Sequence, residues 1–171
     1  MTPKRIAVLV EQKYEELELW YPVYRLREAG HAVTLVGPEA GKVYPSKLGY
    51  PAESDAAARD VSAADFDAVV IPGGFAPDYI RRSAAMLDLV RGVVAANKPT
   101  AAICHGPWVL CSTPALKGRR ATGFHSIRDD VVNAGAEWVD AEVVVDGPLI
   151  TSRTPADLPA FLRAILTALD K

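Results

Sequence analysis

Cys104 is followed directly by His105, within Ala101-Ala102-Ile103-Cys104-His105-Gly106-Pro107. A thiol beside an imidazole puts a nucleophile next to a base, the minimum for covalent attack on a carbonyl. The flanking residues suit a nucleophile carried on a tight strand-to-helix turn. Such a turn crowds the backbone and needs small residues two positions before and after it, which Ala102 and Gly106 supply. Pro107 has no amide hydrogen and fits the first helical turn. The positive end of that helix, aimed at the sulfur, predicts a thiol acidified below its ordinary range. The same residues also fit a structural cysteine at the end of a core strand. Cys111, two helical turns on, fits that plainer description better.

Two other segments could supply partners. Pro72-Gly73-Gly74 lets backbone amides face a crevice without side chains in the way, so the amides of Gly73, Gly74 and His105 are candidates for an oxyanion hole. Glu11-Gln12-Lys13-Tyr14-Glu15-Glu16-Leu17-Glu18 carries four carboxylates and no glycine. A nucleotide cofactor would need a glycine-rich phosphate loop there, and the negative charge repels phosphate, so no cofactor is predicted. One of these acids could share a proton with Cys104, while others complement a helix N-terminus. Leu17 and Leu19 read as core-facing, so spacing does not single one out. His31 and His125 lie elsewhere; Cys104 and His105 are too few for zinc, and no metal site is predicted. His125 follows the short strand Arg120-Ala121-Thr122 and could approach the cysteine from a strand end.

These residues need a scaffold, and the hydrophobic pattern describes one. Arg5 to Val10, Ala32 to Val36, Asp67 to Ile71 and Thr100 to Ile103 are short apolar runs of the kind that fill a sheet covered on both faces. Between them run helical patterns: Leu17 to Arg27, stopped by Gly30, and Ala84 to Asn97. Residues 38 to 65 hold Gly41, Pro45, Gly49 and Pro51 and predict only short strand pieces and loop. Val143 to Thr151 predicts two strands around Asp146-Gly147. Thr154-Pro155-Ala156-Asp157 starts a last helix whose stripe is Leu158, Phe161-Leu162, Ile165-Leu166 and Leu169. Strand-helix alternation predicts a mostly parallel sheet between helical layers, with the site beyond the carboxyl ends of the strands.

The chain has 171 residues, 50% hydrophobic and 23% charged, with a net charge of −2. This predicts a single domain spanning 1–171. The lack of a basic excess argues against nucleic-acid binding, and no apolar run approaches a membrane span. Two cysteines cannot build a secreted disulfide framework, which makes cytoplasm the expected location.

At Ala102-Ile103-Cys104-His105-Gly106-Pro107 the sequence resembles the PfpI family of intracellular cysteine peptidase-like proteins, in a superfamily that includes protein and nucleotide deglycases and stress-response proteins. The likeness continues through Glu15 to Pro22, Pro72 to Asp78, Asp129 to Asp140, Val145-Asp146-Gly147 and Thr151 to Leu158. The resemblance implies a flavodoxin-like three-layer α/β/α sandwich, also called the class I glutamine amidotransferase-like fold. It implies that Cys104 is the nucleophile, His105 its neighbour, and Glu18 the carboxylate bonded to the cysteine, with Glu15 nearer the pocket mouth. Asp78 falls where peptidase-like members place a glutamate that orients the histidine of a neighbouring subunit, which implies a homodimer or higher homo-oligomer. Phe124-His125 stands where members often have an aromatic-proline pair, and both are candidate pocket residues. The expected activity is a hydrolase or lyase acting on small carbonyl compounds or on peptides. The alternatives are a redox-sensing stress protein or holdase with little turnover and, with less support, a glutaminase subunit.

Overall fold

The computed structural model describes residues 2–170. Its centre is a seven-stranded sheet in the order β10-β11-β7-β6-β1-β2-β5. The strands are β1 (Arg5–Leu9), β2 (Ala32–Gly37), β5 (Ala56–Ala57), β6 (Ala68–Ile71), β7 (Thr100–Ile103), β10 (Val143–Asp146) and β11 (Leu149–Ser152). All pairings are parallel except the β10–β11 hairpin, where Val145 faces Ile150 across the Asp146-Gly147 turn. Two small sheets lie outside it: an antiparallel hairpin of β3 (Val43–Pro45) and β4 (Pro51–Glu53), and a parallel pair of β8 (Arg120–Ala121) and β9 (Glu137–Trp138).

The helices are α1 (Glu16–Glu28), α2 (Ala76–Ile80), α3 (Ala84–Ala95), α4 (Pro107–Cys111), α5 (Arg128–Asn133) and α6 (Leu158–Leu169). The path β1-α1-β2 steps across the sheet in one direction, and β6-α3-β7 steps in the other. Right-handed crossovers therefore place α1 and α3 on opposite faces. The last helix, α6, packs on α1, while α2 and α5 pack on α4. The result is an α/β sandwich whose middle layer is fully buried: Ile6, Ala7, Val8, Leu9, Val69, Val70, Ile71, Ala102 and Ile103 are all inaccessible to solvent. Burial on both faces explains why these strands read as unbroken apolar runs. The chain reverses direction between β1 and β6, so the crevice beyond their carboxyl ends is the topological switch point. Among the described residues no helix is long and apolar enough to cross a membrane.

The predicted strands and the three long helices are all present. Helix α1 differs in its facing. Leu17, expected in the core, is 58% exposed, whereas Glu18 is completely buried. The helix is rotated so that a carboxylate, not a leucine, enters the interior. The segment from 38 to 65, predicted only as fragments, folds into the β3–β4 hairpin, and Glu16 ties it down. Its carboxylate accepts from the Ser46 hydroxyl and, at 3.0 Å, from the Leu48 amide.

Candidate active site

Cys104 has φ +60°, in the left-handed region that β-carbon-bearing residues rarely occupy. The surroundings hold it there. Its amide donates to Ser152 O at 3.1 Å on β11, and its carbonyl accepts from the Phe124 amide at 2.8 Å. Gly106 closes the turn with its amide on Ile103 O at 2.7 Å. A β-carbon at Gly106 would lie 2.6 Å from Ile71 O, so a small residue is required at that position. The sequence reading of a strained strand-to-helix junction holds.

Three segments close around the sulfur. Glu18, in the first turn of α1, accepts from the Gly73 amide through Oε2 at 2.8 Å. Its Oε1 is buried without a hydrogen-bond partner. Gly73 sits so close that a β-carbon there would meet Glu18 Oε2 at 2.5 Å and Cys104 Cβ at 2.7 Å. Its amide is committed to Glu18, so of the three predicted oxyanion donors only Gly74 and His105 remain; both amides favour charge on the Cys104 sulfur. Gly74, at φ +73°, lies against the 13–15 turn, where Phe75 N donates to Lys13 O at 2.8 Å and Glu15 N to Gly73 O at 3.3 Å.

The imidazole of His105 is held on both nitrogens. Nδ1 lies 3.3 Å from Cys104 Sγ, and Nε2 lies 3.3 Å from Ser126 Oγ. Phe124 stacks on one side with centroids 4.9 Å apart, and Trp108 meets the ring edge-on at 5.2 Å. When the thiol donates to Nδ1, Nε2 carries the proton and Ser126 accepts it, so this contact fixes the tautomer a base needs. Sequence reasoning missed Ser126; nothing local to a serine after two aromatic rings signals a contact with residue 105.

Burial dominates the electrostatics. Glu18 is pushed up from the ordinary carboxylate range to about 7, first by desolvation and then by the neighbouring charge of Glu15. Cys104 is pushed up to about 12 by desolvation and by the Glu18 carboxylate. The expected acidified thiol is thus corrected. Helix α4 has only five residues, so its dipole is weak, and it competes with a buried carboxylate beside the sulfur. The two groups titrate as a pair: the first proton leaves near neutrality and the second is strongly retained. His105 is held below its ordinary value by burial and by His125, which leaves it neutral and basic near pH 7.

These residues line a cavity of about 370 Å³ formed by Glu15, Glu18, Lys47, Gly74, Phe75, Cys104, His105, Phe124 and Pro155. Glu15 caps α1 by accepting from the Glu18 amide at 2.9 Å, and pairs with Lys47 Nζ at 3.4 Å. Lys47 arrives on the β3–β4 hairpin and was not anticipated. His125 is not part of this wall: its ring lies 4.3 Å from that of Phe124 and lines a separate cavity. Asp78, in α2, pairs with Arg82 and makes no hydrogen bond to His105 within the chain. Among the described residues no cluster of three histidine, cysteine or acidic side chains could hold a metal ion.

Similar proteins share this framework along the whole chain. In Bacillus subtilis, "Putative cysteine protease YraA" is 48% identical over 97% of this chain and 98% of its own length. General stress protein 18 of the same organism is 45% identical over 98% and 99%. Deglycase PfpI of Pyrococcus furiosus is 43% identical over 96% and 99%. Among solved structures, a two-domain protein from Anabaena variabilis containing DJ-1/ThiJ/PfpI-like and ferritin-like domains superposes with a TM-score of 0.95 at 43% identity, over 98% of this chain and 48% of that one. Drosophila melanogaster DJ-1beta superposes with a TM-score of 0.89 at 32% identity, over 96% and 89%. The DJ-1/PfpI family model matches residues 4–168, and the chain belongs to that family.

Proposed function

We propose that this protein is a cysteine-dependent enzyme of the deglycase and glyoxalase kind, acting on small carbonyl compounds through Cys104. One observation carries the reading: the left-handed Cys104 presents its sulfur to a cavity of about 370 Å³, beside a fully buried carboxyl and an imidazole nitrogen 3.3 Å away. A cavity of that size suits an aldehyde better than a peptide chain, and an aldehyde is the softer target. The relatives named deglycase support the choice.

With methylglyoxal the steps balance as follows. Sγ bonds to the aldehyde carbon, and the thiol proton ends on the former carbonyl oxygen. Glu18, which gains and loses a proton near neutrality, is the relay. The Gly74 and His105 amides face the oxygen as it becomes negative. Neutral His105 takes the remaining proton from the former aldehyde carbon, the hydroxyl proton on the first carbon passes to the ketone oxygen, and the proton held by His105 returns to the adjacent carbon, which leaves a lactoyl thioester. Water cleaves this ester, releasing lactate and restoring the thiol; the sum is methylglyoxal plus water. Ser126 keeps His105 turned toward the sulfur during both transfers. We further propose that Asp78 reaches His105 of a neighbouring copy in a homo-oligomer, as the resemblance implies. Incubation with methylglyoxal should yield lactate at a rate set by enzyme concentration. No lactate above that of Cys104→Ala would overturn the reading.

A further inference from the structure

A second cavity, of about 430 Å³, is lined by the residues on either side of Phe124 in the chain. It is lined by Gly123, His125, Arg128, Trp138, Asp140, Arg153 and Thr154. The two cavities share both walls in sequence. One wall runs from Gly123 through Phe124 to His125, the other from Thr154 to Pro155. The Phe124 ring stacks on His105 of the first cavity at 4.9 Å and lies 4.3 Å from the ring of His125, which lines the second.

The second cavity has the chemistry of an anion receptor. The Arg128 side chain is exposed, with no ion pair or hydrogen bond among the described residues. Arg153 is fixed from behind by Asp157, with contacts of 2.9 and 3.1 Å. Its outward nitrogen holds Asp140 at 2.8 Å, and that carboxylate is 76% exposed. So exposed a pair is easily exchanged for another carboxylate or a phosphate. His125 adds a ring donor, and half-buried Trp138 provides an apolar floor. Two guanidinium groups in a concave site match the planar, forked geometry of such anions.

We propose that this cavity is a subsite for an anionic group, a carboxylate or a phosphate, borne by the adduct whose dicarbonyl-derived carbon, once its carbonyl is released, reacts at Cys104. The inference rests on the proposed function and narrows its substrate class to charged adducts of small dicarbonyls. The test uses the full-length protein and paired substrates. One pair is the hemithioacetals that methylglyoxal forms with N-acetylcysteine and with N-acetylcysteine amide. The other is its adducts with deoxyguanosine monophosphate and with deoxyguanosine. Wild type should favour the charged member of at least one pair by about tenfold in kcat/KM, and the pair identifies the anion. In Arg128→Gln that ratio should fall toward one. In parallel, N-acetylcysteine and inorganic phosphate are titrated while the Arg128 and Arg153 side-chain N–H resonances are followed. Binding that shifts them in a protein turning over no carbonyl compound would sink the proposed reaction and keep the subsite. Equal turnover within both pairs, a preference that survives Arg128→Gln, or resonances that neither anion moves would overturn the subsite.

Discussion

The two cysteines stand seven residues apart, one just before a short helix and one at its last position, and burial pushes both thiols up: Cys104 to about 12 and Cys111 to about 11. Thiol acidity does not distinguish them. Cys104 sits at φ +60°, with an imidazole, two amides and the Glu18 carboxyl converging on its sulfur. Cys111 ends α4 half-buried, with Arg81 and Asp130 as its charged neighbours and no hydrogen bond from its sulfur. What sets the proposed nucleophile apart is what can receive its proton and hold the resulting charge, not ease of ionisation in isolation.

The sharpest break in this comparison is substitution. Cys104→Ala should lower lactate formation from methylglyoxal by about 10³-fold or more, while Cys111→Ala should stay within about twofold of wild type. Glu18→Gln comes next. It keeps an acceptor for Gly73 but removes the proton relay, and should cost about 10²- to 10⁴-fold in kcat. The same variant reads out linkage. A carboxyl raised to about 7 when folded binds protons more tightly than in the unfolded chain, so wild-type stability is full below about 4.5 and falls as pH rises through 7. The loss is on the order of 3 kcal/mol. Thermal melts from pH 5 to 8 should slope downward for wild type and run flatter for Glu18→Gln, which should be the more stable protein at pH 8. Parallel slopes would mean that Glu18 is not held protonated.

Gly73→Ala presses a methyl group between Glu18 and Cys104. It should destabilise the protein by about 1–3 kcal/mol in urea titrations, with activity falling alongside. Ser126→Ala should have the smallest effect among the substitutions around Cys104, about three- to tenfold in kcat with KM little changed. The acidic limb of its pH profile should shift as His105 loses its fixed tautomer, and Ser126→Thr should restore it. A lower kcat with an unmoved profile would reduce Ser126 to a packing residue.

Much of this was legible in the chain. Apolar runs gave the buried strands, and small residues two positions either side of Cys104 gave the turn. Glu18 was harder. Helical spacing offered Leu17 for the interior, and only the family likeness chose the glutamate. The physical reason is that desolvating a carboxylate is costly, so pattern reasoning places the leucine inside, whereas here Leu17 is exposed and Glu18 buried. Lys47 and Ser126 were missed on different grounds. The first is delivered by a hairpin too short and too rich in glycine and proline to read as one. The second acts across twenty-one residues on a partner no local pattern names. Hydrophobic periodicity reports which face of an element is dry, and is silent about contacts between distant segments.

The cavity draws its wall from six stretches of chain between Glu15 and Pro155, and Cys104 hangs by its amide from Ser152 on β11. No early portion of the polypeptide can build this pocket. During synthesis the sulfur therefore stays an ordinary, unassisted thiol until nearly the whole chain has emerged and the last parallel strand has docked. The grouping of imidazole, amides and carboxyl about this sulfur arrives together with completion of the fold, and a truncated or half-folded copy lacks it.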